Sequence, residues 1–264
     1  MPIAENVSRI RERIHAAAQR AGRDASAITL MAVSKTFPAS AIREAYAAGL
    51  RTFGENRVQE FATKAEKVRD LSRLSEQRAP SSASLDARAE QIHHEALKEN
   101  DARFHLIGHL QSNKAAKAVE LFDAVDSVDS ARLATKLDAA ANEAGKTLDV
   151  LLEVNIDNEA AKSGLPASLN HPEFQALLKE LPRFENLRVR GLMCIPPHTD
   201  DPAGALPYFR KMRELRDAVV ALKIDNVEMT TLSMGMSHDF EVAIEEGSTC
   251  VRVGTAIFGQ RRKP

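Results

Sequence analysis

Two cysteines, two tyrosines, no surplus of either charge and no long apolar run: this 264-residue sequence is short of all four, and each scarcity removes a class of protein. With Cys194 and Cys250 as its only thiols, the chain is no disulfide-rich secreted scaffold. Both lie in apolar, strand-like runs far apart in sequence. They read as small core residues in a reducing compartment, the alternatives being a disulfide or a metal role. The 36 basic and 37 acidic side chains leave a formal net charge of −1, so bulk charge points neither to nucleic acid nor to an anionic membrane. No apolar stretch approaches the roughly 20 residues that span a bilayer. The N-terminus, MPIAENVSRIRERIHAAAQRAGR, carries acidic residues early and no continuous apolar core. It does not read as a secretory leader, and the cytoplasm is the expected location.

What is there is ordinary globular composition, 28% charged and 44% hydrophobic, in a length that suits one α/β barrel of about 250 residues. Val7, Ile10, Ile14, Ala17, Ala18 and Ala21 recur at helical spacing and predict an amphipathic first helix ending near Gly22. Apolar strand runs follow at 28–33, 51–54, 103–107, 123–127, 148–155, 187–194, 227–232 and 250–253. Helical patterns come after each, at 39–48, 57–70, 112–120, 130–144, 171–181, 205–222, 239–245 and 255–260. Strands separated by helices pair in parallel through right-handed crossovers, and eight such units favour a closed (β/α)8 barrel over an open doubly wound sheet. The stretch 72–100, rich in Ser, Ala, Arg and Glu with Pro80, interrupts the rhythm and is expected to be an exposed insertion in a single domain spanning 1–264. No internal repeat is visible.

Barrels of this kind work at the C-terminal ends of their strands. Lys35 closes the first strand in ITLMAVSKTFP. In a partly apolar site such an amine can be neutral and nucleophilic, able to form a Schiff base with an aldehyde. The alternative is a lysine snorkelling toward a nearby carboxylate. After the seventh strand, TLSMGMSHDF places Ser233, Gly235 and Ser237 just before a helix starting near Asp239. After the eighth, VRVGTAIFG places Gly254 and Thr255 at another helix start. Helix starts offer amides and hydroxyls to an anion, and these two loops form the usual phosphate site of such barrels, although Ser and Gly there are also plain caps. Arg252, between Val251 and Val253, should point into the lumen, toward a carboxylate partner or a ligand's ring nitrogen.

An aldehyde-reactive lysine, a phosphate cradle and a cation for a ring nitrogen are three handles for pyridoxal 5'-phosphate (PLP). The sequence resembles the pyridoxal phosphate homeostasis protein family, single-domain relatives of the barrel half of alanine racemase. The resemblance rests on AVSKTFP (32–38), FGENRVQE (53–60), FHLIGHLQSNK (104–114), LLEVNIDNEAAKSGL (151–165), GLMCIPP (191–197) and LSMGMSHDFEVAIEEGSTCVRVGTAIFG (232–259); the 72–100 insertion departs from the compact bacterial pattern. It implies a TIM barrel of the alanine racemase N-terminal type with an extra N-terminal helix, and PLP held covalently on Lys35 as an aldimine. It further implies that Ser237, Gly254 and Thr255 hold the phosphate, Ser233 and Gly235 shape the same loop, and Arg252 faces the pyridine nitrogen. Asn56 reads as a pocket amide or a turn former. His105 and His109 straddle the end of the third strand, and His109 reads as a mouth residue or, the preferred expectation, a hydrogen-bonded core histidine. Lys162 reads as a charge at the phosphate entrance or a solvated loop lysine.

Racemases and decarboxylases of this barrel type add a β-rich domain supplying a catalytic tyrosine. Here GQRRKP directly follows the eighth unit, and Tyr46 and Tyr208 fall in helix patterns. Two-base racemisation needs groups on both faces of the substrate. The expectation is therefore a monomeric, non-catalytic carrier that keeps free PLP low and releases it to PLP-dependent apoenzymes. The competing readings are a PLP-dependent amino acid racemase or lyase, and a barrel for another phosphorylated metabolite with Lys35 purely electrostatic.

Overall fold

The eight apolar runs form strands that close on themselves. In the computed structural model, which describes residues 2–72, 101–159 and 161–260, they are β1 (Thr29–Val33), β2 (Thr52–Glu55), β3 (Arg103–Leu106), β4 (Ala124–Val128), β5 (Leu148–Asn155), β7 (Leu187–Cys194), β8 (Val227–Met236) and β9 (Cys250–Val253). Neighbours pair in the order β4-β3-β2-β1-β9-β8-β7-β5, and β4 pairs with β5 to close the ring. Every pairing is parallel. A two-residue strand, β6 (Leu165–Pro166), pairs with the end of β5 outside the ring. The helices are α1 (Ile3–Arg20), α2 (Ala39–Ala47), α3 (Val58–Ala65), α4 (Ala115–Leu121), α5 (Ala131–Glu143), α6 (Pro172–Glu180), α7 (Leu206–Ala221), α8 (Phe240–Glu245) and α9 (Thr255–Phe258), numbered among the described residues.

Strand alternation divides the core into two layers. Outward-facing Phe53, Phe104, Leu152 and Val251 pack against buried helix residues such as Phe61 and Leu137. Phe61 of α3 sits 4.7 Å from the Phe104 ring and 4.9 Å from Phe122, so cutting it to alanine would cost about 3–5 kcal/mol. Inward-facing Met31, Val33, Ile107 and Cys250 form a separate apolar cluster in the lumen. Gly54 of β2 makes that cluster possible, because a Cβ there would lie 2.9 Å from both Met31 Sδ and Ile107 Cδ1. The helix after β9 has four residues, and α1 packs beside it, burying Ile3, Val7, Ile10, Ile14, Ala17 and Ala18. The extra N-terminal helix thus completes the outer ring where α9 is too short to do so.

Three expectations change. β8 runs to Met236, four residues past its predicted end, because Ser233 and Met236 stay paired with Cys250 and Arg252 of β9. The 57–70 helix breaks into α3 and a 3-10 turn at Glu66–Leu71. Ser72, placed at the start of the exposed insertion, is 2% exposed and bridges Ala102; the remainder of 72–100 lies outside the described residues. Cys194 and Cys250 are free, buried thiols whose pKa burial raises to about 12, which makes them poor nucleophiles.

Candidate functional site

β1 ends at Val33, and the chain turns sharply so that half-buried Lys35 faces a cavity of about 380 Å³ at the C-terminal end of the barrel. Asn56, Ser237, Arg252, Gly254 and Thr255 line the same cavity. Residues from β1, β2, β8 and β9, distant in sequence, therefore meet where a parallel barrel is expected to work. Arg252 is 3% exposed. Its Nη1 donates to Ser233 Oγ at 2.8 Å and its Nη2 to the Cys194 carbonyl at 2.7 Å. Both partners are neutral oxygens, so the guanidinium is held in place without a contact carboxylate taking up its charge. Of the two readings of Arg252, the structural ion pair has no contact carboxylate among the described residues, and its polar contacts are these two oxygens.

Ser237 Oγ accepts from the Gly254 amide at 3.3 Å and so joins the two loops at the start of α9. Gly235 sits at φ +93°, and a Cβ there would come within 2.6 Å of Ala243 Cβ, so glycine lets the end of β8 lie against α8. Neither Gly235 nor Ser233 is among the residues lining the cavity. Ser233, expected to shape the anion loop, lies one layer deeper as the Arg252 anchor. A small hydroxyl residue before a helix reads as a turn, whereas here it fills the lumen beside a guanidinium.

The structure also decides the places of His109, His105 and Lys162, and only His109 departs from its favoured reading. His109 is at the mouth, with its side chain 56% exposed and Nδ1 3.2 Å from Asp129 Oδ2, rather than in the core. His105 is the lumen histidine, 3.0 Å from Asp126. Lys162 is paired within its own loop, to Asp157 at 2.6 Å and Glu159 at 2.8 Å, and does not line the cavity.

The most telling residue missing from the sequence reading is Glu153, 8% exposed at the end of β5 and facing the cavity. Burial, then the nearby Asp129 carboxylate, push its pKa above the ordinary value. Its signal was available: a charge inside the apolar run LLEVN, the pattern that marks Lys35 and Arg252. A larger groove of about 890 Å³ opens beside the cavity and shares His109 and Ser163 with it, but the amine and the guanidinium lie in the smaller one.

Closed parallel barrel, amine after the first strand and cation on the last define a barrel of the alanine racemase N-terminal class. The family model described as "Alanine racemase, N-terminal domain" matches residues 6–262. The pyridoxal phosphate homeostasis protein of Aquifex aeolicus is 41% identical over 262 residues, covering 99% of this chain and 100% of that one. Its Pseudomonas aeruginosa counterpart is 42% identical over 259 residues, 98% and 96% of the two chains. The chain belongs to the pyridoxal phosphate homeostasis protein family. Among solved structures, PipY of Synechococcus elongatus with PLP bound superposes with a TM-score of 0.74 at 36% identity, covering 97% of this chain and 100% of that one.

Proposed function

We propose that this chain binds PLP in the Lys35 cavity as a Schiff base on the Lys35 amine and serves as an intracellular carrier that delivers PLP to apoenzymes. One observation carries the reading: a lysine amine, a buried guanidinium bonded to neutral oxygens, and the Ser237–Gly254–Thr255 turn line one cavity. Its size falls within the usual 300–1,000 Å³ of small-ligand sites. This donor set suits an aldehyde, a ring nitrogen and a phosphate. When bound, PLP supplies an electrophilic aldehyde and an electron-accepting ring. The chain's residues would do the rest: Lys35 would hold the aldehyde carbon through its amine with loss of water, Ser237 and the Gly254–Thr255 turn would orient the anion, and Arg252 would supply a positive charge near the ring. A second positive charge on the ring nitrogen is then disfavoured, which weakens the ring as an electron sink and suits holding better than turnover.

The enzyme reading has one observation in its favour, since Glu153 and His109 are titratable groups within the same cavity. Neither Tyr46 nor Tyr208 lines it. Location in the cytoplasm is supported by the two free thiols; no helix among the described residues is long and apolar enough to cross a membrane.

Borohydride reduction of the PLP-loaded protein followed by mass mapping should leave a pyridoxyl group on Lys35. Lys35→Ala should lose both the adduct and the absorption band of the lysine-bound cofactor. An unlabelled Lys35 would favour a different phosphorylated metabolite. Sustained amino acid turnover at about 1 per second or faster, followed by chiral analysis, would reject the carrier reading.

A further inference from the structure

Thr36, the residue after Lys35, has φ +68°, a backbone region that L residues rarely enter and β-branched ones least of all. Such a conformation persists only where its surroundings over-determine it. Here the surroundings are a small ion cluster whose inner members, Glu55 and Lys64, are buried. The Thr36 amide donates to Glu60 Oε1 at 2.6 Å. Lys64 Nζ reaches the carbonyls of Ser34 at 3.3 Å and Phe37 at 3.2 Å, which flank Lys35 and Thr36 on either side. The same ammonium donates to Glu60 Oε1 at 2.9 Å and Glu55 Oε1 at 2.8 Å, and Glu55 also accepts from Ser34 Oγ at 2.8 Å.

Lys64 is 7% exposed and Glu55 fully buried, so the cluster ties the end of β2, helix α3 and the Lys35 turn into one unit. Burial pushes the Glu55 carboxyl up against the pull of Lys64. Glu60, which burial alone would raise, is held below its ordinary value by the Thr36 amide and Lys64 and so stays an ionised acceptor. Buried ion pairs are poor sources of stability, and their better-attested use is to fix one geometry. None of the three side chains lines the cavity.

We infer that Glu60 and Lys64 are positioning residues: they clamp the Ser34–Phe37 turn in its left-handed conformation and thereby aim the Lys35 amine into the cavity. The inference rests on Lys35 being the PLP attachment point, yet its effect on the amine can be read without PLP.

The informative variants are Glu60→Ala and Glu60→Gln. The Glu60 side chain is 30% exposed, and its loss leaves Lys64 still paired with Glu55, whereas Lys64→Met would strand a buried carboxylate and risk the fold. In the cofactor-free protein, Glu60→Ala should make Lys35 several-fold faster to acylate with trace acetic anhydride, as the turn is released toward solvent. With PLP added, equilibrium dialysis should show binding about tenfold weaker, about 1.4 kcal/mol. The pH midpoint of the bound-cofactor absorption should move as well, while the thermal midpoint stays within a few degrees. Glu60→Gln, whose amide oxygen still accepts from the Thr36 amide, should recover most of each effect. Equal acylation rates in wild type and Glu60→Ala overturn the clamp, and so does binding that weakens only in step with thermal stability. Absence of a pyridoxyl group on wild-type Lys35 would instead count against the proposed function, and the acylation comparison still decides the clamp.

Discussion

The two ends of the barrel lumen handle charge in opposite ways. At the base, a cavity of about 300 Å³ is lined by His105, Asp126, Thr29, Thr52, Thr231 and Thr249. His105 Nδ1 lies 3.0 Å from Asp126 Oδ1. Burial by itself would lower the imidazole's pKa, but the Asp126 carboxylate outweighs it and the pKa is raised. At the mouth, Arg252 rests on a hydroxyl and a carbonyl, and its charge is still available to whatever enters. A lumen charge paired with its opposite stabilises the barrel. One propped by neutral groups suits the ligand-facing role proposed for Arg252, and that contrast can be tested independently of any relative.

The strongest way to break the contrast is Arg252→Met. It removes the mouth cation and strips two buried acceptors, Ser233 Oγ and the Cys194 carbonyl, of their donors. Stability should fall by about 3 kcal/mol, at about 1–3 for each group left unsatisfied. PLP affinity, measured by equilibrium dialysis at a temperature where the variant stays folded, should fall at least about tenfold. A variant that loses stability while binding PLP normally would mean that the mouth cation is as structural as the pair at the base.

Asp126→Asn tests the other end and should do the reverse. Losing a charge-assisted hydrogen bond should cost about 2 kcal/mol with PLP affinity unchanged. The pH dependence has a definite sign. A histidine whose folded pKa is raised contributes stability that is complete below its unfolded value of about 6.5 and is lost as pH rises through the folded value. Urea unfolding of the wild type should therefore show that contribution fading on the alkaline side, and the asparagine variant should lack that slope.

The fold was legible because its signal is periodic and repeated. Apolar runs such as 148–155 and 187–194 coincide with β5 and β7 at both ends, since a strand buried on both faces leaves little room for another reading. The site was legible where one residue breaks such a run, as Lys35 and Arg252 do. It was illegible where chemistry depends on pairing across the ring. That Ser233 serves Arg252 follows from the register of β8 against β9, and that Lys64 reaches the Ser34 carbonyl follows from where α3 packs. His109 is at the mouth although its neighbours Leu106, Ile107 and Leu110 are buried. The strand has in fact ended at Leu106, and alternation no longer governs where the ring points.

Glu153→Gln has the smallest expected effect, and it tests whether the mouth trades stability for function. Glu153 faces Asp129, His109 and Arg252, and Ser163 Oγ lies 3.4 Å from its Oε2. Its raised pKa means that the folded chain binds this proton more tightly than the unfolded chain does. The associated stability is complete below the unfolded value of 4.5 and is lost as pH rises through the folded value, so at neutral pH the ionised carboxylate opposes folding. Glutamine keeps the shape and an acceptor but cannot ionise. The variant should therefore be more stable than wild type in urea at pH 8 without cofactor, and the gain should vanish at about pH 4. An unchanged or reduced stability at pH 8 would show that Arg252 already compensates the carboxylate, and the mouth would then be balanced in the same way as the base.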